Sequence, residues 1–214
     1  MPRPFLSTCL LAALIAPLSL AADASALLFN GRDFSDWELV ANPAAEAASV
    51  CHYLPGGVIA IDGSPTSFLA TRGSHENYRL HVEWRWPGKT GNAGILLHIA
   101  SGPKDRQWPL SLQVQTKHLA AGDILPMAGA SLAEALDPQS PRTPQRLRLA
   151  ASSEQAPGEW NQCDIVCRGD TIEVTVNGVR QNFVTGVSPA SGRIGFQLEG
   201  TAYELRNVEL SPLD

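Results

Sequence analysis

The stretch Tyr78-Arg79-Leu80-His81-Val82-Glu83-Trp84-Arg85-Trp86 decides the fold. Its apolar residues fall at every second position. Leu80, Val82, Trp84 and Trp86 share one face, while His81, Glu83 and Arg85 share the other. Side chains alternate between faces along a β-strand, so this segment reads as a strand with one face in a core. The same reading recurs outward from it. Residues 94–100 set Ile95, Leu97 and Ile99 against Leu96 and His98, and residues 111–117 set Leu112 and Val114 against Gln113, Gln115 and Lys117. Residues 161–168, 171–176 and 180–184 read as a meander. Its second turn, Asn177-Gly178, suits the positive φ angles of a tight hairpin. Strands at 193–198 and 203–210 close the series. Many short antiparallel strands with almost no helices must bury their faces on one another. The expected fold is therefore all-β, a jelly-roll sandwich of two antiparallel sheets. One excursion interrupts it. Residues 119–144 are rich in Pro, Gly and Ala, and 128–136 carry the one short helical pattern; loops this long in compact domains are commonly functional or disordered.

Composition narrows the class. The 214 residues include 16 Lys and Arg against 21 Asp and Glu, a net charge of −5, and show no basic stripe of the kind nucleic acid requires. Charged residues make up only 17%, and 18 Gly with 16 Pro suit a turn-rich chain. Residues 1–21 place Arg3 before an apolar run from Phe5 to Ile15, then Pro17 and small residues. That order reads as a signal peptide cleaved after Ala21 or Ala24, and the run is short for a bilayer span. The expectation is a single domain over 28–211, periplasmic or secreted, with no stable membrane anchor. Cys51, Cys163 and Cys167 remain after cleavage. Cys163 and Cys167 share one strand and lie too far apart to bridge, so Cys51 pairs with one of them or all three are small buried hydrophobes.

The polar faces carry the functional reading. Opposite the core lie Glu83 and Arg85, His98, Gln113 and Gln115, then Gln197 and Glu199. Amides and carboxylates at alternate positions on several strands converge if those strands line one sheet face, and such groups match sugar hydroxyls as donors and acceptors. The competing reading is a solvated sheet face held by cross-strand ion pairs. Trp108, before Pro109, suits stacking on a sugar ring. Trp84 and Trp86 read as core, and Trp37 and Trp160 as packing anchors. His118 and Asp123 open the excursion and can approach the same cleft. No nucleophile elbow, zinc-protease helix, P-loop or dinucleotide fingerprint occurs. Gly91-Asn92-Ala93-Gly94 is a weak phosphate cradle.

Taken in order, these segments resemble the 3-keto-disaccharide hydrolase family. Leu28-Phe29-Asn30-Gly31-Arg32-Asp33-Phe34-Ser35-Asp36-Trp37 is similar to its opening LFNGKDLSGW. Gly91-Asn92-Ala93-Gly94-Ile95 resembles GNSGI, Gly158-Glu159-Trp160-Asn161 matches GEWN, and Val176-Asn177-Gly178-Val179 matches VNGV. Gly192 to Gln197 resembles GxIGLQ, and Tyr203-Glu204-Leu205-Arg206-Asn207-Val208 the terminal VEFRNI. The resemblance runs from Leu28 to Leu210. In it Gln113 stands where many relatives have a carboxylate, and His98 where many have Arg.

The resemblance implies a concanavalin-like fold, export, and a hydrolase or lyase acting on 3-keto-glycosides. A ketone at C3 acidifies the C2 proton; its removal gives an enolate, and the C1 group then departs by elimination. Glu83 or His98 would be the base, and Arg85 or a bound divalent cation would stabilise the enolate. Gln113, Gln115 and Gln197 would hold ring hydroxyls, with Trp108 against the ring and Glu199 or Asp123 as acid. No cofactor is demanded. A divalent cation held by Glu83, His98 and Glu199 is chemically sensible. The alternatives are a two-carboxylate glycosidase using Glu83 and Glu199, and a non-catalytic carbohydrate-binding module.

Overall fold

The computed structural model describes residues 25–105 and 108–214. The leader reading of residues 1–21 lies outside them. Among the described residues, fourteen strands and one 3-10 turn, Ala47–Ser49, make up the regular structure. The strands are β1 (Ala26–Leu27), β2 (Trp37–Val40), β3 (Cys51–Leu54), β4 (Val58–Ile61), β5 (Ser67–Thr71), β6 (Tyr78–Arg85) and β7 (Gly94–Asp105). Then follow β8 (Trp108–Gln115), β9 (Ile124–Met127), β10 (Asn161–Arg168), β11 (Thr171–Val176), β12 (Val179–Val184), β13 (Arg193–Leu198) and β14 (Tyr203–Pro212).

The strands form two antiparallel sheets. Sheet A has eight strands in the order β12-β11-β10-β6-β14-β4-β3, with β1 added on β14. Sheet B has six, in the order β2-β5-β13-β7-β8-β9. One hydrophobic cluster joins their inner faces. From sheet A it takes Leu80, Val82, Trp84, Ile165, Val174 and Leu205; from sheet B it takes Leu69, Ile95, Leu97, Leu112, Val114 and Phe196. Fully burying each such side chain stabilises the fold by about 1.5–3 kcal/mol, so the alternation along β6, β8 and β13 is what presses the sheets together. Trp37 stacks on Phe29 with ring centroids 4.2 Å apart, closing one end of the sandwich.

Two expectations change on contact with the structure, and one open alternative is decided. Residues 128–136 are not helical. Ala128 and Gly129 have φ of 53° and 101°, which breaks any helix at its start. The amides beyond them go elsewhere: Ser131 pairs with Ser188, and Ala133 N–H donates to the Thr185 carbonyl at 2.8 Å. The Glu134 carboxylate receives the Thr185 amide and hydroxyl. The excursion is a loop stitched to the segment that leaves sheet A for β13. Second, Cys51, Cys163 and Cys167 are all buried free thiols, which selects the small-hydrophobe alternative over a Cys51 disulfide. Third, β7 carries a bulge. Arg193 and Gly195 of β13 face Ile99 and Leu96, so β7 has one residue more than its partner there, and His98 takes a φ of 55°. The period of two therefore slips at His98.

Candidate functional site

The slip at His98 moves it off the polar face. Leu96 and Ile99 both point outward into a small apolar cluster with Phe68 and Ala70. His98 turns inward, fully buried, with its ring edge-on to Tyr78 at 5.8 Å and Nδ1 3.0 Å from the Pro189 carbonyl. Burial pushes its imidazole below the ordinary value of 6.5, against the opposing pull of the Pro189 carbonyl. It is a neutral interior histidine with no access to substrate.

Glu83 and Arg85 lie on the outer face of sheet A, the far side of the sandwich from sheet B's outer face. The cause is their parity with Leu80, Val82 and Trp84 on β6, which face the core. A bulge in β14 around Asn207, whose φ is 47°, turns Arg206 and Asn207 toward Glu83 together. Asn207 Nδ2 donates to Glu83 Oε1 at 2.7 Å and Arg206 Nε donates to Oε2 at 2.7 Å. Burial opposes ionisation of Glu83, but these donors outweigh it and hold the carboxyl below its ordinary range. Arg85 Nε donates to Glu204 Oε2 at 2.6 Å. The guanidinium groups of Arg85 and Arg206 flank the Trp160 ring at 4.6 and 4.2 Å. Cross-strand pairing accounts for every polar group of this set. The assignment of Glu83, Arg85 and His98 to one catalytic centre is corrected accordingly.

The outer face of sheet B gathers most of the remaining set. Gln113 and Gln115 on β8, Gln197 on β13, Glu199 just beyond it, and half-buried Trp108 line one cavity of about 260 Å³. Leu125 and Met127 of β9 form its side, and Arg142-Thr143-Pro144 of the excursion its wall. Gly94 makes this assembly possible. It lies on β7 between β13 and β8, and Gln197 Nε2 donates across it to Gln113 Oε1 at 3.1 Å. A Cβ at Gly94 would stand 2.5 Å from Gln113 Nε2 and 2.6 Å from Gln197 Oε1. The Gln115 amide is fixed by its Oε1, which accepts the Thr116 and Lys117 amides at 3.1 and 3.0 Å.

Two acceptors in this cavity have no protein partner. Gln197 Oε1 and Asn92 Oδ1 are both buried and both unpaired. An unpaired buried acceptor costs about 1–3 kcal/mol, which a hydroxyl donor from a ligand would recover. Among the described residues Glu199 is the one carboxylate in the lining. Burial pushes it above the ordinary 4.5, and the positive charge of Lys117 offsets part of that rise. Asp123 does not line the cavity: Arg148 donates to its Oδ1 from N–H at 2.8 Å and from Nη1 at 3.3 Å. His118 is held by Glu154 Oε2 at 3.1 Å and lies in a neighbouring groove. Glu83, His98 and Glu199 occupy three separate regions and do not fit a shared cation. Among the described residues no cluster of three His, Cys, Asp or Glu suits a metal.

Sequence reasoning missed Asn92 and Arg142. Asn92 stood in the singled-out Gly91–Gly94 turn but was read there as part of a phosphate cradle. Arg142 carries no local signal, because only the path of the excursion brings it to β8.

The fold is shared with carbohydrate-active proteins. A candidate glycosyl hydrolase from Parabacteroides distasonis superposes with a TM-score of 0.66 at 19% identity, covering 94% of this chain and 99% of that one. A carbohydrate-binding module, CBM66, from Bacillus subtilis gives 0.57 at 14% identity, over 83% and 96%. A β-glucanase from Bacillus licheniformis gives 0.55 at 10% identity, over 83% and 92%. No curated protein sequence matches the chain significantly. At the level of sequence families, the model for the 3-keto-alpha-glucoside-1,2-lyase-like domain matches residues 24–211. The jelly roll and that match over nearly its whole length make the chain a member of the 3-keto-alpha-glucoside-1,2-lyase-like family.

Proposed function

We propose that the sheet B cavity binds a glycoside oxidised at C3 and cleaves it by elimination, with Glu199 as the single proton-transferring group. The observation that carries this reading is that one carboxylate, raised in pKa by burial, stands among amides in the cavity. A conventional glycosidase needs two carboxylates flanking the scissile bond. Glu83, the second one expected, is on the other sheet.

Elimination can run on one. Glu199 removes the C2 proton, and the electron pair becomes the C2–C3 double bond of an enolate with its charge on the C3 oxygen. Arg142, a cation in the lining, favours that charge. The enolate then re-forms the ketone as its C2–C3 pair becomes a C1–C2 double bond, the C1–O pair leaves with the departing oxygen, and the proton on Glu199 passes to that oxygen. Water adding across that double bond, hydroxyl to C1 and hydrogen to C2, completes a net hydrolysis. Gln197 Oε1 and Asn92 Oδ1 accept from hydroxyls the ring retains. Residues 1–21, in their leader-like order, support action outside the cytoplasm.

The test follows products from an aryl 3-keto-glucoside and from its unoxidised parent. Release of the aryl alcohol from the keto sugar alone, falling by about a hundredfold or more in Glu199→Gln, is the expected result. Release from the parent would establish a glycosidase instead. Binding of both without release would establish a carbohydrate-binding module.

A further inference from the structure

Glu199 and Asn92 line two cavities at once. Beyond the one just described, a groove of about 420 Å³ opens on the other side of them, lined by Lys89, Thr90, Lys117, His118 and Thr201. It is built by two close approaches. A Cβ at Gly91 would stand 2.1 Å from Thr201 Oγ1, and one at Gly63 2.1 Å from the Thr201 amide nitrogen. Both glycines therefore let the β13–β14 turn pack against its neighbours and form one bank. The other bank is the turn after β8, where His118 N–H donates to the Gly91 carbonyl at 3.1 Å.

The groove differs in charge from the rest of the molecule. The protein carries a net charge of −5, yet the ionisable lining here is Lys89, Lys117 and His118 against Glu199 alone. His118 Nδ1 lies 3.1 Å from Glu154 Oε2, and the remaining charges of the lining are the two lysines against Glu199. Glu199 stands between that cavity and this groove, so a glycoside whose reacting ring fills the cavity would extend its departing group into the groove.

We propose that this groove is a subsite for an anionic leaving group, a carboxylate-bearing aglycone or acidic sugar, held by Lys89 and Lys117. The proposal deepens the functional reading above and rests on its placement of the reacting ring. A carboxylate in the groove gains from two ammonium groups that are partly solvated. At roughly 1 kcal/mol in total, that is a preference of about fivefold over a neutral group of the same shape. The preference should weaken with salt, since both lysines are reached by solvent.

The experiment compares two 3-keto-glucosides, one with a phenol aglycone and one with a 4-carboxyphenol aglycone. Their kcat/KM values are measured for the wild-type chain and for Lys89→Met/Lys117→Met, with circular dichroism confirming that the variant folds. Affinities of Glu199→Gln for both compounds are measured by calorimetry, which does not depend on turnover. A wild-type ratio of about five in favour of the carboxylate, falling to about one in the double variant and at high salt, is the expected result. Turnover of neither compound with an affinity ratio of about five would overturn the catalytic reading and leave the subsite standing. A ratio near one in both measurements, or one the double variant leaves intact, would overturn the subsite whatever becomes of the catalysis.

Discussion

Gln197 and Gln113 belong to strands that are not neighbours, yet their amides share a hydrogen bond of 3.1 Å over the back of β7. The pair exists because Gly94 has no side chain. It leaves Gln197 Oε1 buried and unpaired, in a residue that lines the cavity.

Gly94→Ala should therefore separate binding from folding. The added methyl meets only the far ends of two flexible side chains. Stability should fall by about 1 kcal/mol or less, while ligand affinity falls by about tenfold or more as the amides part. Thermal melts and calorimetry on the same preparation check both. Unchanged affinity would mean the amide pair does not contact ligand.

Glu83→Gln should do the reverse. The substitution removes the negative charge that Arg206 and Asn207 satisfy, at a cost of about 1–3 kcal/mol in denaturant unfolding. Turnover in the sheet B cavity should match wild type. A large loss of kcat in a folded variant would return Glu83 to the reaction.

Acid should weaken the fold in two stages. His98 is buried neutral with its pKa below 6.5, so as pH falls under 6.5 the unfolded chain takes up a proton that the folded one resists. Glu83 is held below 4.5, so its contribution is present above that pH and is lost on further acidification. Urea midpoints taken from about pH 8 to about pH 4 should show the first decline, and His98→Phe should flatten it. A flat wild-type profile through that first interval would contradict a neutral buried His98.

The pH profile of kcat/KM reports on Glu199. A base must be ionised, so activity should rise with pH along a limb set above the ordinary 4.5. Lys117 lowers that pKa, and Lys117→Met should carry the limb to higher pH. A limb that ignores the Lys117 charge would argue for a different base.

How far the sequence could be read depends on what alternation encodes. The parity of β6 identified its core face, and Asn177-Gly178 marked the hairpin between β11 and β12. Parity says which residues turn away from a core, but a sandwich has two outer faces. Nothing in Leu80-His81-Val82-Glu83 distinguishes the face of Glu83 from that of Gln113; strand order decides it, and strand order is a long-range property. His98 failed for another reason. A single residue at a φ of 55° reverses the pattern after it, and the side chains of β7 are apolar on both sides of that step. The helical pattern at 128–136 lost to pairing with Thr185 and Ser188, more than fifty positions later in the chain.

That same pairing has a kinetic meaning. The segment bearing Arg142 is sewn by main-chain contacts at Ser131 and Ala133 to the crossover between the sheets, and by Ile124 and Arg146 at its other end. Such a border stands ready before any sugar arrives. Capture should then proceed at the pace of encounter, in a single exponential phase that grows linearly with concentration, with no slow closing step to follow.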